Sequence, residues 1–168
     1  EVELVVRNLR VHLAGKQFLR SKLIRSALAP NNTPRQFASG LRHAEVEEVW
    51  RRGKHILITF RNGRTLVVHL RMTGEFLFIP DNEALPAHTH ALFELSDKRV
   101  LAFTDQRHFG YMELVPTNEL LQLRALAELA PEPFSPEFSR EYFREVIRGS
   151  RQPIKLLLLD QRKVLGLG

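Results

Sequence analysis

The sequence predicts an α+β fold, an antiparallel β-sandwich core flanked by helices at both ends of the chain. Three observations carry this expectation. Residues 45–115 break into short β-like runs separated by turn residues, at the spacing of an antiparallel sandwich or barrel. Apolar residues at helical spacing occupy the first 14 positions and return after Thr117. A chain of 168 residues with 43% hydrophobic and 26% charged content has enough apolar surface for one sizeable core, which excludes disordered and collagen-like classes.

Val2, Val5, Val6, Leu9 and Leu13 repeat at helical spacing up to Gly15, and Glu1, Glu3, Arg7 and Arg10 decorate the opposite face, so the chain opens with an amphipathic helix. Phe18–Ile24 alternates as a strand. Pro30-Asn31-Asn32 is a loop, and Thr33-Pro34-Arg35-Gln36 is a capping box with proline at the first helical position, opening a short helix that closes at Gly40. Seven strands are expected next, at Val46–Trp50, His55–Phe60, Thr65–Leu70, Glu75–Ile79, Ala91–Leu95, Val100–Thr104 and Tyr111–Val115. Between the second and third of these, Arg61-Asn62-Gly63-Arg64 predicts a two-residue type I′ hairpin, because Asn-Gly accepts the positive φ angles such a turn requires. Thr117 is placed to cap a helix through Leu120, Leu121, Leu123 and Leu126. Ser135-Pro136-Glu137 opens another, carrying Phe138, Tyr142, Phe143, Val146 and Ile147 to Gly149, and a last helix begins near Pro153.

The 25 Lys and Arg against 19 Asp and Glu leave a net charge of +6, which points to a polyanion or an anionic surface as partner. With no cysteine, disulfides, thiolate nucleophiles, iron–sulfur clusters and cysteine-built zinc sites are excluded within these residues. No run approaches the ~20 apolar residues of a membrane span, and no charged-then-apolar leader follows Glu1. The first residue is not methionine, and Gly166-Leu167-Gly168 reads as a loop leading onward, so processing or truncation is expected at both ends.

Basic and polar side chains gather at strand ends. Arg51-Arg52-Gly53-Lys54-His55 precedes a strand, His69-Leu70-Arg71-Met72-Thr73-Gly74 ends one, and Asp105-Gln106-Arg107-His108-Phe109-Gly110 follows another, where a rigid sheet presents functional groups on loops. His88-Thr89-His90 sets two imidazoles on one side of a strand; a metal pair, phosphate donors and a hydrogen-bonded structural pair are all compatible with that spacing. A zinc-protease histidine motif, a Gly-x-Ser-x-Gly elbow and a phosphate-binding Gly-rich loop are absent.

In this order, these strings resemble the bacterial formamidopyrimidine-DNA glycosylases. They comprise Glu1-Val2-Glu3 before an amphipathic helix, the Lys54, Met72, His88-Thr89-His90 and Arg107–Phe109 segments, Pro131-Glu132-Pro133-Phe134-Ser135, and Ile154-Lys155 with Leu158–Gln161 up to Gly168. The resemblance covers essentially the whole chain. It implies a base-excision repair DNA glycosylase and AP lyase for 8-oxoguanine and ring-opened formamidopyrimidines, whose N-terminal domain is a β-sandwich flanked by helices and whose C-terminal domain adds a helix-two-turns-helix element and a zinc finger. Residues 1–150 then correspond to the N-terminal domain and 151–168 to the start of the connection to the second. No cofactor and no metal site are expected in this chain; zinc is expected in the C-terminal domain. The implied partner is double-stranded DNA containing oxidised purines, with no membrane association, and the implied protein is a monomer of the bacterial cytoplasm associated with the nucleoid.

The resemblance also assigns roles. Lys54 matches the lysine that contacts DNA beside the lesion and assists β-elimination. Met72, Arg107 and Phe109 match the side chains inserted into the duplex when the damaged nucleotide leaves the stack, a gap that a thioether, a guanidinium facing the orphan cytosine and an aromatic wedge can fill. His69, Arg71, His88, His90 and His108 would line the phosphate track, with Arg151 and Lys155 near the start of the last helix; Lys155 alternatively reaches the everted nucleotide. His108 stands where arginine or lysine is usual, which makes its contact sensitive to histidine protonation.

The sequence departs from the family pattern at its front. Members begin, after methionine removal, with Pro-Glu-x-Pro-Glu-Val-Glu, and the proline amine attacks C1′ with help from the adjoining glutamate. Glu1-Val2-Glu3 aligns with the end of that string, so Glu1 is expected to line the lesion pocket without replacing the nucleophile, and the 168-residue chain is expected to be inactive alone. Two other readings are a non-catalytic DNA-binding relative and an endonuclease VIII-like glycosylase for oxidised pyrimidines. The Met72 and Arg107-x-Phe109 loops fit the purine branch better.

Overall fold

The computed structural model describes residues 1–80 and 83–167; Gly168, the last residue of the expected terminal loop, lies outside them. Two compact units are present, Glu1–Leu120 and Leu121–Gly168.

In the first unit, helix α1 (Val2–Leu13) buries Val6, Leu9 and Leu13, the stripe its spacing predicts. Strand β1 (Gln17–Leu23) follows, then a 3₁₀ turn at Ser26–Leu28 and helix α2 (Pro34–Leu41). The Thr33 capping box forms as expected: Gln36 N–H donates to Thr33 Oγ1 at 3.1 Å, and Thr33 N–H donates to Gln36 Oε1 at 2.9 Å. Seven further strands complete the unit: β2 (Ala44–Arg52), β3 (His55–Phe60), β4 (Arg64–His69), β5 (Gly74–Ile79), β6 (Thr89–Leu95), β7 (Val100–Asp105) and β8 (Tyr111–Pro116).

The eight strands pair antiparallel in the order β5-β7-β6-β1-β2-β3-β4-β8. At the middle, β1 and β2 share only the pairs Gln17–Glu45 and Phe18–Ala44, whereas β2 and β3 stay paired from Val46–Phe60 to Arg52–His55. That weak seam is where the sheet turns a corner. Residues far apart in strand order, such as Phe103 of β7 and Leu66 and Met112 of β4 and β8, then belong to one buried core. Phe18 sits at the seam, fully buried, with its ring centroid 5.0 Å from Phe60 and 5.1 Å from Phe93, so one aromatic side chain bonds the two halves of the sandwich. The exposed edge at β8 is clamped by Asn32, whose side chain accepts from Leu114 N–H at 2.8 Å and donates to Leu114 O at 3.0 Å, a local answer to the unpaired edge.

Three local expectations change. The β3–β4 connection is not a type I′ turn: Phe60 pairs with Arg64, only Gly63 has a positive φ (+76°), and Gly63 N–H donates to Phe60 O at 3.1 Å. Asn62 instead turns its side chain to accept from Arg64 N–H and donate to Gly40 O, which keeps it out of the left-handed region and yields a three-residue loop with a bulged glycine. The segment after Thr117 is a 3₁₀ run to Gln122 followed by the single-turn helix α3 (Arg124–Ala127), since Thr117 is tied to the sheet by Gly63 O and the Thr65 hydroxyl.

In the second unit, helix α4 (Arg140–Ile147) starts later than Ser135. Ser139 is the residue whose hydroxyl accepts from Tyr142 N–H, while Phe138 closes a turn onto Ser135 O. The last helix of this unit is α5 (Ile154–Leu159), near Pro153 as expected, and the unit is tied internally by Tyr142 Oη donating to Lys163 O and Ala130 N–H donating to Gln161 O. Among the described residues no helix is long and apolar enough to cross a membrane.

The seam predicts its own test. Phe18→Ala removes a side chain wedged between two rings and should cost about 3–5 kcal/mol in urea denaturation, against about 1 kcal/mol for Thr33→Ala at the α2 cap. A Phe18 effect no larger than the cap's would mean that the halves are held together elsewhere.

Candidate nucleic-acid interface

Strand pairing puts the basic strings at one end of the sandwich. The β2–β3 turn at Gly53-Lys54 faces the end of β4 through the pair His55–His69, β4 faces the start of β8 through His69–Tyr111, and β5 meets the end of β7 through Gly74–Asp105. The loops carrying Lys54, Arg71–Thr73, His88 and Gln106–Gly110 therefore emerge together. Gly53, with φ +57°, takes the first central position of a tight β2–β3 turn and lifts Lys54 to the surface.

Two loops carry large apolar side chains into solvent: Met72 is 69% exposed and Phe109 57%. Neither is a core residue. The Arg107 guanidinium carbon lies 5.2 Å from the Phe109 ring centroid, a stacked cation beside an aromatic wedge. Beneath them is Asp105, a residue to which the motifs give no role. The Asp105 carboxylate, 1% exposed, accepts the Thr73 hydroxyl and Arg107 N–H (3.2 Å) on Oδ1 and Gly110 N–H (2.6 Å) on Oδ2. Burial pushes its pKa up, but the hydrogen bonds from Thr73, Gly110 and Arg107 outweigh burial and hold the group below the ordinary carboxylate range. The available signal was position: an acidic residue ending an otherwise apolar strand, just before a loop that closes on glycine.

Beside Lys54, the rings of His55 and His69 meet edge to face at 4.8 Å. Arg71, whose backbone is left-handed (φ +56°), donates its N–H to His69 Nδ1 at 3.0 Å, which leaves the proton of a neutral His69 on Nε2. Burial is the first cause that lowers both imidazoles to about 4; Arg71 adds to it at His55, and His55, Arg71 and Lys54 add to it at His69. His69 is therefore a neutral donor at physiological pH. His55, a residue to which the motifs give no role, adds to the burial that keeps it so.

On the other flank, His108 Nδ1 lies 2.9 Å from His90 Nε2 and the two rings stack, with His88 5.9 Å from His108. His88 and His108 are exposed on left-handed backbone, whereas His90 is buried, 4% exposed, beneath His108. The hydrogen bond that the structure shows in this segment joins His90 to His108 and not to His88; among the described residues no group of three or more possible ligands is arranged to hold a metal. Burial, then the neighbouring His108, lowers the His90 pKa, against the pull of Asp105. Glu1 is exposed at the start of α1 and caps no backbone group with its side chain, while Glu3 pairs with Arg51 at 2.7 Å and Arg7 at 3.0 Å. Arg151 and Lys155 are exposed in the second unit.

The depressed imidazoles carry a pH signature. Their folded pKa lies below the unfolded value near 6.5, so the unfolded chain binds more protons between about 6.5 and 4, and stability should fall as pH drops through that window. NMR titration should show the His55 and His69 ring protons moving near pH 4; midpoints above 6 would contradict the buried, neutral pair.

With this geometry in view, the chain can be set beside known proteins. The model of the formamidopyrimidine-DNA glycosylase N-terminal domain matches residues 1–112. The formamidopyrimidine-DNA glycosylase of Desulforamulus reducens is 41% identical over 171 residues, and that of Lactiplantibacillus plantarum 37% identical over 168; each alignment covers 100% of this chain and 61% of the relative. Lactococcus lactis Fpg has been solved in complex with DNA containing an abasic site (TM-score 0.93, 28% identity, 100% of this chain and 61% of that one). It has also been solved with DNA containing FAPY-dG (TM-score 0.92, 28% identity, 99% and 62%). The chain thus spans about three-fifths of the length of the relatives it matches, and it belongs to the formamidopyrimidine-DNA glycosylase family.

Proposed function

We propose that the protein carrying this chain is a base-excision repair glycosylase and AP lyase for oxidised purines in double-stranded DNA, and that the first unit presents its lesion-facing loops. The observation that carries this reading is the pair of exposed apolar side chains, Met72 and Phe109, on adjacent loops with Arg107 stacked on the aromatic ring. Exposure alone is ordinary, since Leu4, Val11, Leu121 and Phe134 are comparably or more exposed; what sets Met72 and Phe109 apart is that the buried Asp105 anchors both of their loops beside the Arg107 cation. A base step in DNA can receive them: swinging a nucleotide out costs a few kcal/mol of stacking and leaves a gap that an apolar wedge refills. Arg107 has the donors to satisfy the base left without its partner.

The groups around the wedge suit a phosphate backbone. Lys54 and Arg71 are cationic, and neutral His69 offers its Nε2 proton to a phosphate oxygen without needing to be charged. His88 and His108 offer exposed donors on the far flank, with His90 supporting His108 from below rather than reaching DNA itself. Within the second unit, Arg151 and Lys155 are exposed and are proposed as further phosphate contacts. In the whole protein the nucleophilic amine attacks C1′ of the damaged nucleotide, the base departs, and the resulting imine is resolved by β,δ-elimination, which Lys54 assists. Glu1 lines the lesion pocket. The solved Lactococcus lactis complexes with FAPY-dG and abasic-site DNA support this substrate class.

In the full-length protein, Met72→Ala and Phe109→Ala should each lower kcat/KM on 8-oxoguanine duplex by about tenfold or more, the scale of a lost transition-state contact, while leaving the melting temperature within a few degrees because both side chains are exposed. A large fall in melting temperature, or unchanged excision, would overturn the assignment. Lys54→Ala should slow nicking of a preformed abasic site more than it slows base release; equal effects would make Lys54 a binding residue only.

A further inference from the structure

We infer that Asp105 is a positioning residue that locks the Met72 loop and the Arg107–Phe109 loop into one mechanical unit, so that the three side chains enter the duplex together rather than one at a time. The inference rests on the reading just given, that these side chains fill the gap left by an everted nucleotide, and adds how they are coordinated.

Bond by bond, the carboxylate spans both loops. Thr73, next to Met72, donates its hydroxyl to Oδ1. The same hydroxyl oxygen accepts Arg107 N–H at 3.0 Å, and Arg107 N–H also reaches Oδ1 at 3.2 Å, so Thr73, Asp105 and Arg107 close a triangle. Gly110, just past Phe109, donates to Oδ2 at 2.6 Å. The Arg107–Phe109 segment is thus fastened at both ends to one carboxylate, and the Met72 loop is fastened to the same carboxylate through its neighbour. Asp105 also donates its own N–H to His88 O at 3.0 Å, which ties the third loop to the same residue.

The surroundings make this a rigid junction. A Cβ at Gly74 would lie 2.5 Å from Leu70 O and 2.9 Å from the Phe103 ring, and one at Gly110 would lie 2.8 Å from that ring and 3.1 Å from Asp105 Oδ2. Both loops are therefore pressed onto the buried Phe103 with no slack. Arg71, His88 and His108, one residue in each tethered loop, hold left-handed backbones at φ +56°, +58° and +62°. Such conformations are strained for residues other than glycine and persist only where surrounding contacts over-determine them. A single buried anion with several charge-assisted hydrogen bonds supplies that constraint. A carboxylate serving stability alone needs its lone pairs filled from any direction; here the donors come from the residues that flank the two wedges.

The experiment is a double-mutant cycle in the full-length protein on duplex carrying 8-oxoguanine beside 2-aminopurine, with eversion followed by stopped-flow fluorescence. Met72→Ala, Phe109→Ala and their combination are measured with Thr73 intact, with Thr73→Val, which keeps the shape and removes the hydroxyl, and with Thr73→Ser, which restores it. With Thr73 intact, the combined loss should fall well short of the product of the single losses, because either truncation already spoils a concerted entry. With Thr73→Val, eversion should slow by about tenfold, the size of effect expected when a positioned group is loosened by a fraction of an ångström, and the two losses should become multiplicative. Thr73→Ser should recover both the rate and the coupling, and the Thr73→Val and Thr73→Ser single variants should bind undamaged duplex as the unsubstituted protein does. Single losses that persist with the same coupling in the Thr73→Val background overturn this inference and leave the reading beneath it standing. Met72→Ala and Phe109→Ala without effect on eversion overturn both. A Thr73→Val loss matched by an equal loss of affinity for undamaged duplex assigns Thr73 a structural role and likewise overturns the inference.

Discussion

Burying a carboxylate at the end of a strand costs several kcal/mol unless its lone pairs are filled with well-placed donors, and Asp105 is filled by the backbone and side-chain groups of two neighbouring loops. Remove that charge and Thr73, Arg107 and Gly110 lose a shared acceptor in a place where water does not replace it. The sheet supplies the position: β7 ends beside the start of β5, and the Phe103 ring beneath leaves room only for glycine at positions 74 and 110. Exposed Met72, Arg107 and Phe109 are then mounted on a stiff base, which is what an insertion into stacked bases requires if it is to act as a wedge rather than fold away.

A similar economy holds on the Lys54 side. Pairing across β3, β4 and β8 lines up His55, His69 and Tyr111, and burial, helped at both rings by Arg71 and at His69 also by His55 and Lys54, keeps the two imidazoles neutral. Formal charge is concentrated in the lysine and arginines, while the histidines supply directional donors. On the proposed function, the net charge of +6 would attract a polyanion at long range, and the loops would decide where on it the protein settles.

Much of this was legible in the sequence because it depends on local chemistry. The β-runs between 45 and 115, the capping box at Thr33 and the stripe of Val6, Leu9 and Leu13 all follow from alternation, caps and helical period, and all appear in the fold. The basic strings stood at strand ends, so an antiparallel sheet could bring them to one end. Misreadings came where a tertiary contact competed with a local preference. Asn62 has the intrinsic freedom for a type I′ turn but spends its side chain on Gly40 and Arg64, and Thr117 is held by the sheet through Gly63 and Thr65 rather than capping a helix. Asp105 and His55 went unassigned because their importance lies in residues distant in sequence: Thr73 is 32 positions from Asp105, and His69 faces His55 only through strand register. The spacing of His88 and His90 leaves a metal pair, phosphate donors and a hydrogen-bonded pair open and carries no sign of burial, which comes from the bulge between Thr89 and Ala91 and from the stacked His108.

The central claim is that Met72 and Phe109 enter DNA at the damaged step, held by one buried junction. Its most direct measurement is site-specific photocrosslinking: p-benzoylphenylalanine at position 72 or 109 of the full-length protein, bound to a duplex with one 8-oxoguanine, with the adducts mapped on both strands. Both positions should crosslink within one nucleotide of the lesion or of the base opposite it, and the adduct site should move when the lesion is moved. Adducts spread evenly along the duplex, or unchanged in position when the lesion moves, would contradict the central claim.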